Sequence, residues 1–203
     1  MGIIVATGNE NKMKEIREIM RDLDMEIVSM KEAGIFMDIE ENGTTFEENA
    51  LIKARAIFGA LEQAQRQQTI VLADDSGLEV DAMNKEPGVH SSRFMGEDTS
   101  YDIKNQYIMD QLKDVSDEQR SARFVCTIAA VFPDEKEMVV RETIEGQIAK
   151  ESSGSNGFGY DPIFYVPEFG CTTAELTMEQ KNKISHRGKA LMKMKEIIGK
   201  AGR

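Results

Sequence analysis

Residues 122–148 read ARFVCTIAAVFPDEKEMVVRETIEGQI, and this stretch decides the fold class. Phe124, Cys126, Ile128, Ala130 and Phe132 alternate along its first half, which is the period of a strand. The positions between them are also partly apolar, so this strand is expected to be covered on both faces. Pro133-Asp134 supplies a turn, and Met138 to Ile148 read as a second long strand. Upstream the texture differs. Ile3 to Ala6 and Thr69 to Ala73 are short apolar runs expected as buried strands, with a third strand over Glu26 to Ser29. Lys12 to Leu23 carries Met13, Ile16, Ile19, Met20 and Leu23 at helical spacing. Thr45-Phe46-Glu47-Glu48 is a capping box, and a helix is expected behind it to about Gln65, its Ala50, Ala54, Ala56 and Ala60 suiting close packing. Ser100 to Leu112 reads as a further capped helix. Downstream, a short strand is expected at Ile163 to Val166, and Thr177-Met178-Glu179-Gln180 forms a second capping box. A last helix starts near Ser185, with Leu191, Met194, Ile197 and Ile198 on one face and Gly199 as its C-cap. Helices alternating with buried strands, then a long hairpin, predict an α/β fold with a mixed sheet.

The chain of 203 residues is 40% apolar and 30% charged, ordinary values for a globular protein. No linker, repeat or membrane-length apolar run interrupts it, and Met-Gly-Ile-Ile-Val-Ala lacks a basic leader. Cys126 and Cys171 match no metal or redox spacing, which suits a reducing cytoplasm. The net charge of −11 argues against a nucleic-acid surface. A small anionic ligand would need local cations.

Residues 153–161, Ser-Gly-Ser-Asn-Gly-Phe-Gly-Tyr-Asp, combine permissive backbone with two flat side chains and an acid. That combination suits a flat heterocycle with polar edges, or a plain glycine-rich turn. Thr7-Gly8-Asn9-Glu10-Asn11-Lys12 opens the first helix, and reads either as a phosphate cradle or as a capped helix start. It lacks the P-loop pattern. Asp38, Glu40 and Glu41 precede the second helix, where carboxylates can hold Mg²⁺, while Glu47 and Glu48 suit the helix dipole. Lys53 stands one turn further on. Asp74 and Asp75 are placed at the end of an apolar strand, one to bind metal and one to activate water, or else in an acidic turn with Gly77. Arg93 is a phosphate ligand or an ion-pair residue. Lys181 to Arg187, Lys-Asn-Lys-Ile-Ser-His-Arg, is a basic run of the kind usually solvated.

In order, ATGNENKMKEI, GTTFEENALIKARA, LADDSGLEVDA with PGVHSSRF, ARFVCTIAAV, and GFGYDPIFYVP leading to TAELTMEQKNKISHRGKAL resemble the inosine triphosphate pyrophosphatase family, in its bacterial and archaeal branch. The segments span nearly the whole chain. The resemblance implies a single domain over 1–203, elongated and two-lobed, with a long central mixed sheet flanked by helices and an active-site cleft between lobes. It implies a cytoplasmic homodimeric enzyme that uses Mg²⁺ to hydrolyse inosine, deoxyinosine and xanthosine triphosphates to monophosphate and pyrophosphate. By resemblance Thr7, Gly8, Asn9, Glu10, Asn11 and Lys12 bind the triphosphate, with Lys53 beside them. Glu41 and Asp75 hold metal, and Asp75 is also the catalytic base. Ser76, Phe158, Gly159, Tyr160, Asp161, Lys181, His186 and Arg187 contact substrate. Asn156 stands where the family usually has glycine, Gln180 where it has an acid, and His90 where it has an aromatic. A pyrophosphatase for modified pyrimidine nucleotides and a non-catalytic nucleotide sensor are the competing readings.

Overall fold

The structure, a computed structural model, describes residues 1–201; the last two residues of the expected 1–203 domain lie outside it. Among the described residues thirteen helices and strands, some linked by short 3₁₀ turns, follow in the order β1 (Gly2–Val5), α1 (Glu10–Met20), β2 (Glu26–Ser29), α2 (Phe46–Ala60), α3 (Gln63–Arg66), β3 (Thr69–Val80), α4 (Tyr101–Gln111), β4 (Ser121–Val131), β5 (Glu137–Ile148), β6 (Phe164–Val166), β7 (Cys171–Thr172), α5 (Met178–Ile184) and α6 (His186–Ala201). The sheet order is β2-β1-β3-β4-β5-β6-β7. β1 runs parallel to β2 and β3, with Ile4 opposite Val28 and Val71, whereas β6 runs antiparallel to β5 and β7. The sheet is therefore mixed, as expected.

The chain divides into two compact units. The first comprises Met1–Asp75, Cys126–Glu142 and the chain from Arg187 onward; the second comprises Ser76–Val125 and Thr143–His186.

In the first unit the strand period sorts side chains onto two faces. Ile3, Val5, Ile70, Leu72, Cys126, Ile128, Ala130 and Phe132 pack with Met13, Ile16 and Met20 of α1 and Leu191, Met194 and Ile198 of α6. Ile4, Val71, Ala73, Ala129 and Val131 pack on the other side with Ala50, Ala54, Ile57 and Phe58 of α2. This explains why the strands read as continuous apolar runs: both faces are buried. Ala50 and Ala54 are wholly inaccessible and let α2 lie close to the sheet. The capping box holds, with Glu48 N donating to Thr45 Oγ1 at 3.1 Å and Thr45 N to Glu48 Oε2 at 3.2 Å. The helix nonetheless stops at Ala60 instead of continuing to Gln65. Leu61 leaves it in an extended conformation to bury its side chain, and Arg66 donates to the released carbonyls of Leu61 (2.9 Å) and Gly59 (2.5 Å). Gly199 is not a C-cap either, because α6 runs through it to Ala201.

The second unit has its own core, built from Leu78, Val80, Ile108, Leu112, Ala122, Phe124, Ile144, Ile148, Ile163 and Phe164. Thr177 and Gln180 reciprocally cap α5, at 3.2 and 2.9 Å, so Gln180 completes the capping box. Arg120 is buried and donates to the carbonyls of Ile148 (2.7 Å), Leu112 (2.5 Å) and Ala149 (2.9 Å), joining the end of α4 to the end of β5. An apolar replacement orphans buried acceptors. Arg120→Met is expected to lower stability by on the order of 3 kcal/mol, read as an earlier urea midpoint at unchanged slope.

Candidate active site

The acids of β3 sit inside the strand, not at its end. The apolar run stops at Ala73, yet pairing continues to Val80, and Asp74 and Asp75 are both buried. A strand can carry charges through its interior only if each finds a partner. Here they do, and the alternation of the strand sends the two carboxylates to different partners.

Asp74 accepts from Arg187 Nε at 2.7 Å through Oδ2, and Lys12 Nζ lies 2.5 Å from its Oδ1. The Cys126 thiol donates to the same Oδ2 at 3.4 Å. Burial alone would raise the pKa of Asp74; Arg187 and Lys12 outweigh it and hold the carboxylate well below its ordinary value. Arg187 also donates from one Nη to Glu15 Oε2 at 2.5 Å, and its own side chain is 3% exposed. Two of its nitrogens are thus committed to carboxylates.

Asp75 differs. Lys53 Nζ reaches its Oδ1 at 3.3 Å, Glu41 Oε2 at 2.8 Å and the Asp74 carbonyl at 3.0 Å. Asp75 Oδ2 is buried with no hydrogen-bond partner among the described residues. Burial pushes the Asp75 pKa up, Glu41 and Asp74 add to the rise, and Lys53 and Lys12 only partly offset it. Lys53 shifts upward as well: burial opposes its charge, but Asp75 and Glu41 prevail. The site is therefore one ammonium shared by two carboxylates, one of which keeps a spare buried oxygen. Among the described residues no three acidic, histidine or cysteine side chains gather as a cation site. A pair is nevertheless compatible with Mg²⁺, which is commonly held by one or two carboxylates together with substrate phosphates.

At the start of α1, Asn9 Oδ1 accepts from Asn11 N (2.9 Å) and Lys12 N (3.1 Å), and Asn9 N donates to Thr7 Oγ1 at 3.1 Å. Glu10 and Asn11 are exposed. Gly8 has no left-handed φ, and a Cβ there would meet nothing within 4 Å. Neither backbone strain nor crowding within the chain calls for glycine at this position. Glu48 is the cap acid, and Glu47 lies 3.3 Å from Arg141, so neither joins the pair at Lys53.

The glycine-rich loop belongs to the second unit and is organised by Asp161. Its Oδ2 accepts from Phe158 N (2.8 Å) and Lys181 Nζ (2.7 Å), and its Oδ1 from Thr173 Oγ1 (2.8 Å). Gly157 has φ 75°, and a Cβ there would stand 2.2 Å from Asp161 Oδ2, so this position requires glycine. Asn156 does not need to be glycine: its N donates to Ala174 O at 2.9 Å and its Nδ2 to Leu176 O at 3.1 Å, anchoring the loop. Lys181 Nζ lies 5.0 Å from the Phe158 ring centroid, a cation–π contact. Tyr160 is buried and donates to Ser91 O at 2.7 Å, so its hydroxyl is used inside the protein. Gly159 O accepts from Asn105 Nδ2 at 3.1 Å. Ser76, on β3, is half-buried. His186 stacks on Phe124, with centroids 4.9 Å apart at 21°.

The basic run at 181–187 is not a solvated face. Lys181, His186 and Arg187 are all buried, because Asp161, Phe124 and the Asp74–Glu15 pair receive them. Glu15, Thr173, Lys104 and Asn105 escaped the sequence reading, and Cys126 reads there only as a strand residue and a free thiol. Only periodicity could have flagged two of them: Glu15 adjoins the buried Ile16, and Lys104 precedes Ile108 and Leu112 by one and two turns on the buried face of α4.

Fold and site together define an α/β protein with a buried acid–lysine pair on its central sheet. The chain belongs to the Ham1 family, whose profile matches residues 3–197. It is 50% identical over 196 residues to a dITP/XTP pyrophosphatase of Caldanaerobacter subterraneus, covering 97% of this chain and 95% of that one. It is 46% identical over 195 residues to one of Clostridium perfringens, covering 96% of each. Among solved structures, a HAM1 protein from Coxiella burnetii superposes with a TM-score of 0.86 at 40% identity, over 98% of this chain and 99% of the other.

Proposed function

We propose that this chain hydrolyses non-canonical purine nucleoside triphosphates, inosine, deoxyinosine and xanthosine triphosphate, to monophosphate and pyrophosphate. The observation that carries this reading is Asp75: a buried carboxyl with one oxygen unpartnered and the other on a lysine shared with Glu41. Its relatives of similar length are dITP/XTP pyrophosphatases. In the reaction a water oxygen bonds to the α-phosphorus while the bond from that phosphorus to the bridging oxygen breaks. The electron pair leaves with pyrophosphate, and Asp75 Oδ2 takes the water proton. Lys12 and Lys53 offset the charge of the triphosphate, and the start of α1 with Thr7, Gly8 and Asn9 accommodates its oxygens. Glu41 and Asp75 would hold Mg²⁺, which supplies charge neutralisation of the phosphates when bound.

The loop at 156–161 with Lys181 and His186 offers donors and a ring face to the base. Hypoxanthine and xanthine carry an acceptor oxygen at C6, whereas adenine carries an amine. A donor facing that amine is left unpaired, at a cost of about 1–3 kcal/mol, or roughly ten- to a hundredfold in preference. Phe158→Ala is expected to raise KM for every purine triphosphate about tenfold with kcat nearly kept; unchanged kinetics would remove the ring from base recognition.

No helix among the described residues is long and apolar enough to cross a membrane. We take the chain to act as one cytoplasmic pyrophosphatase domain and as a homodimer. The test of the function is product analysis with Mg²⁺ and inosine, xanthosine, guanosine, adenosine and thymidine triphosphates. Monophosphate plus pyrophosphate from the first two, with little from the rest, is expected. Orthophosphate release, turnover of the pyrimidine alone, or binding without turnover would overturn it.

A further inference from the structure

The second unit buries a lysine that no mechanism uses. Lys104, on α4, is 1% exposed and is among the largest wholly buried side chains. No carboxylate lies within ion-pair distance of it among the described residues. Burial lowers its pKa. Its Nζ donates to Ser92 O at 2.7 Å and lies 4.9 Å from the Tyr101 ring centroid. A leucine or methionine would fill that volume without the desolvation cost. The lysine is explained by what its ammonium grips, which is the backbone of the loop around residues 88–93.

The next residue does the corresponding task on another loop. Asn105 is 4% exposed, and its Nδ2 donates to Gly159 O at 3.1 Å. Gly159 has φ 70°, a left-handed conformation that turns the loop there. The two loops are also tied to each other, because Tyr160 Oη donates to Ser91 O at 2.7 Å. The Tyr160 ring meets Tyr101 edge-on, with centroids 5.2 Å apart at 89°. Ser91–Ser92, Lys104, Tyr101 and Tyr160 therefore close a ring of contacts, and Asn105 fixes the backbone next to it.

We infer that Lys104 and Asn105 are positioning residues for purine selection, acting through the backbone at Ser92 and Gly159 to hold the Phe158–Tyr160 loop in one conformation. This deepens the functional reading and rests on it. The loop's Phe158 ring and backbone edge are useful to a base only if the backbone is fixed, because selectivity between an oxygen and an amine depends on donors that cannot turn away. A loop freed at Gly159 would follow whichever base is offered.

The test uses Asn105→Asp, which keeps the side chain's size and loses its donor, and the pair Lys104→Met and Lys104→Arg. Steady-state kinetics with inosine and adenosine triphosphates are read alongside thermal midpoints. Asn105→Asp and Lys104→Met are expected to raise KM for inosine triphosphate about tenfold, to keep kcat within about twofold, and to compress the inosine-to-adenosine selectivity ratio by a similar factor. Lys104→Arg is expected to recover most of the selectivity. Lower thermal midpoints with KM and selectivity unchanged would reduce both residues to structural ones and overturn the inference. Should Asn105→Asp and Lys104→Met fail to fold, Tyr101→Leu, at a partly exposed position of the same ring of contacts, carries the test with the same expected and contrary outcomes. A wild-type protein that does not turn over inosine triphosphate refutes the functional reading itself. An active wild type with unaltered variants refutes only this inference.

Discussion

Asp75→Asn is expected to abolish pyrophosphate release, by about a thousandfold or more, while leaving the fold at least as stable. The size follows from what is removed: the proton acceptor proposed for the attacking water and one of two carboxylates facing Lys53. The second half follows from the sign of the pKa shift. Folding raises the Asp75 pKa, chiefly by burial. A carboxyl shifted upward is harder to ionise in the folded than in the unfolded chain, so its charge weakens the fold wherever it is ionised. Asparagine keeps the shape and removes that charge, although it also weakens the hold on Lys53. Pyrophosphate release and a urea titration, done on one preparation, read both halves. Activity within tenfold of wild type would remove Asp75 from the chemistry. Lost activity with a collapsed fold would make it structural.

The second large effect falls on stability. Arg187→Met is expected to cost about 3–5 kcal/mol, because it leaves two carboxylates, on Asp74 and Glu15, in the interior without the guanidinium that joins them. Lys12 still faces Asp74. Arg187→Lys is expected to recover only part of the loss, since one ammonium cannot reproduce the fork that serves both acids. Combining Arg187→Met with Glu15→Gln should cost clearly less than the sum of the single changes, and urea midpoints of the four proteins measure that coupling. Strict additivity would mean the two groups do not depend on each other.

Much of the architecture was legible because periodicity and caps are local. Thr45 and Thr177 announce α2 and α5, the spacing of Met13, Ile16 and Met20 announces α1, and the alternation through Cys126 to Phe132 announces β4. The two misreadings at the site share one cause. Asp74 and Asp75 read as the end of a strand, and Lys181 to Arg187 read as solvated charge, because a charged side chain is expected at the surface unless its partner is known. Those partners lie far along the chain: Arg187 is 113 residues from Asp74 and 172 from Glu15, and Lys181 is 20 from Asp161. No window of sequence contains them. The Ham1 relationship, by contrast, was legible as a resemblance because its segments keep their order across the whole chain.

Each compact unit is stitched from separate stretches of chain, three for the first and two for the second, and the crossings fall at 75/76, 125/126, 142/143 and 186/187. Neither unit therefore corresponds to a continuous run of codons. No single recombination break can deliver one of them into another gene without part of the other. The glycine-rich loop at 156–161 and the acid–lysine pair are thus carried within one reading frame and inherited together.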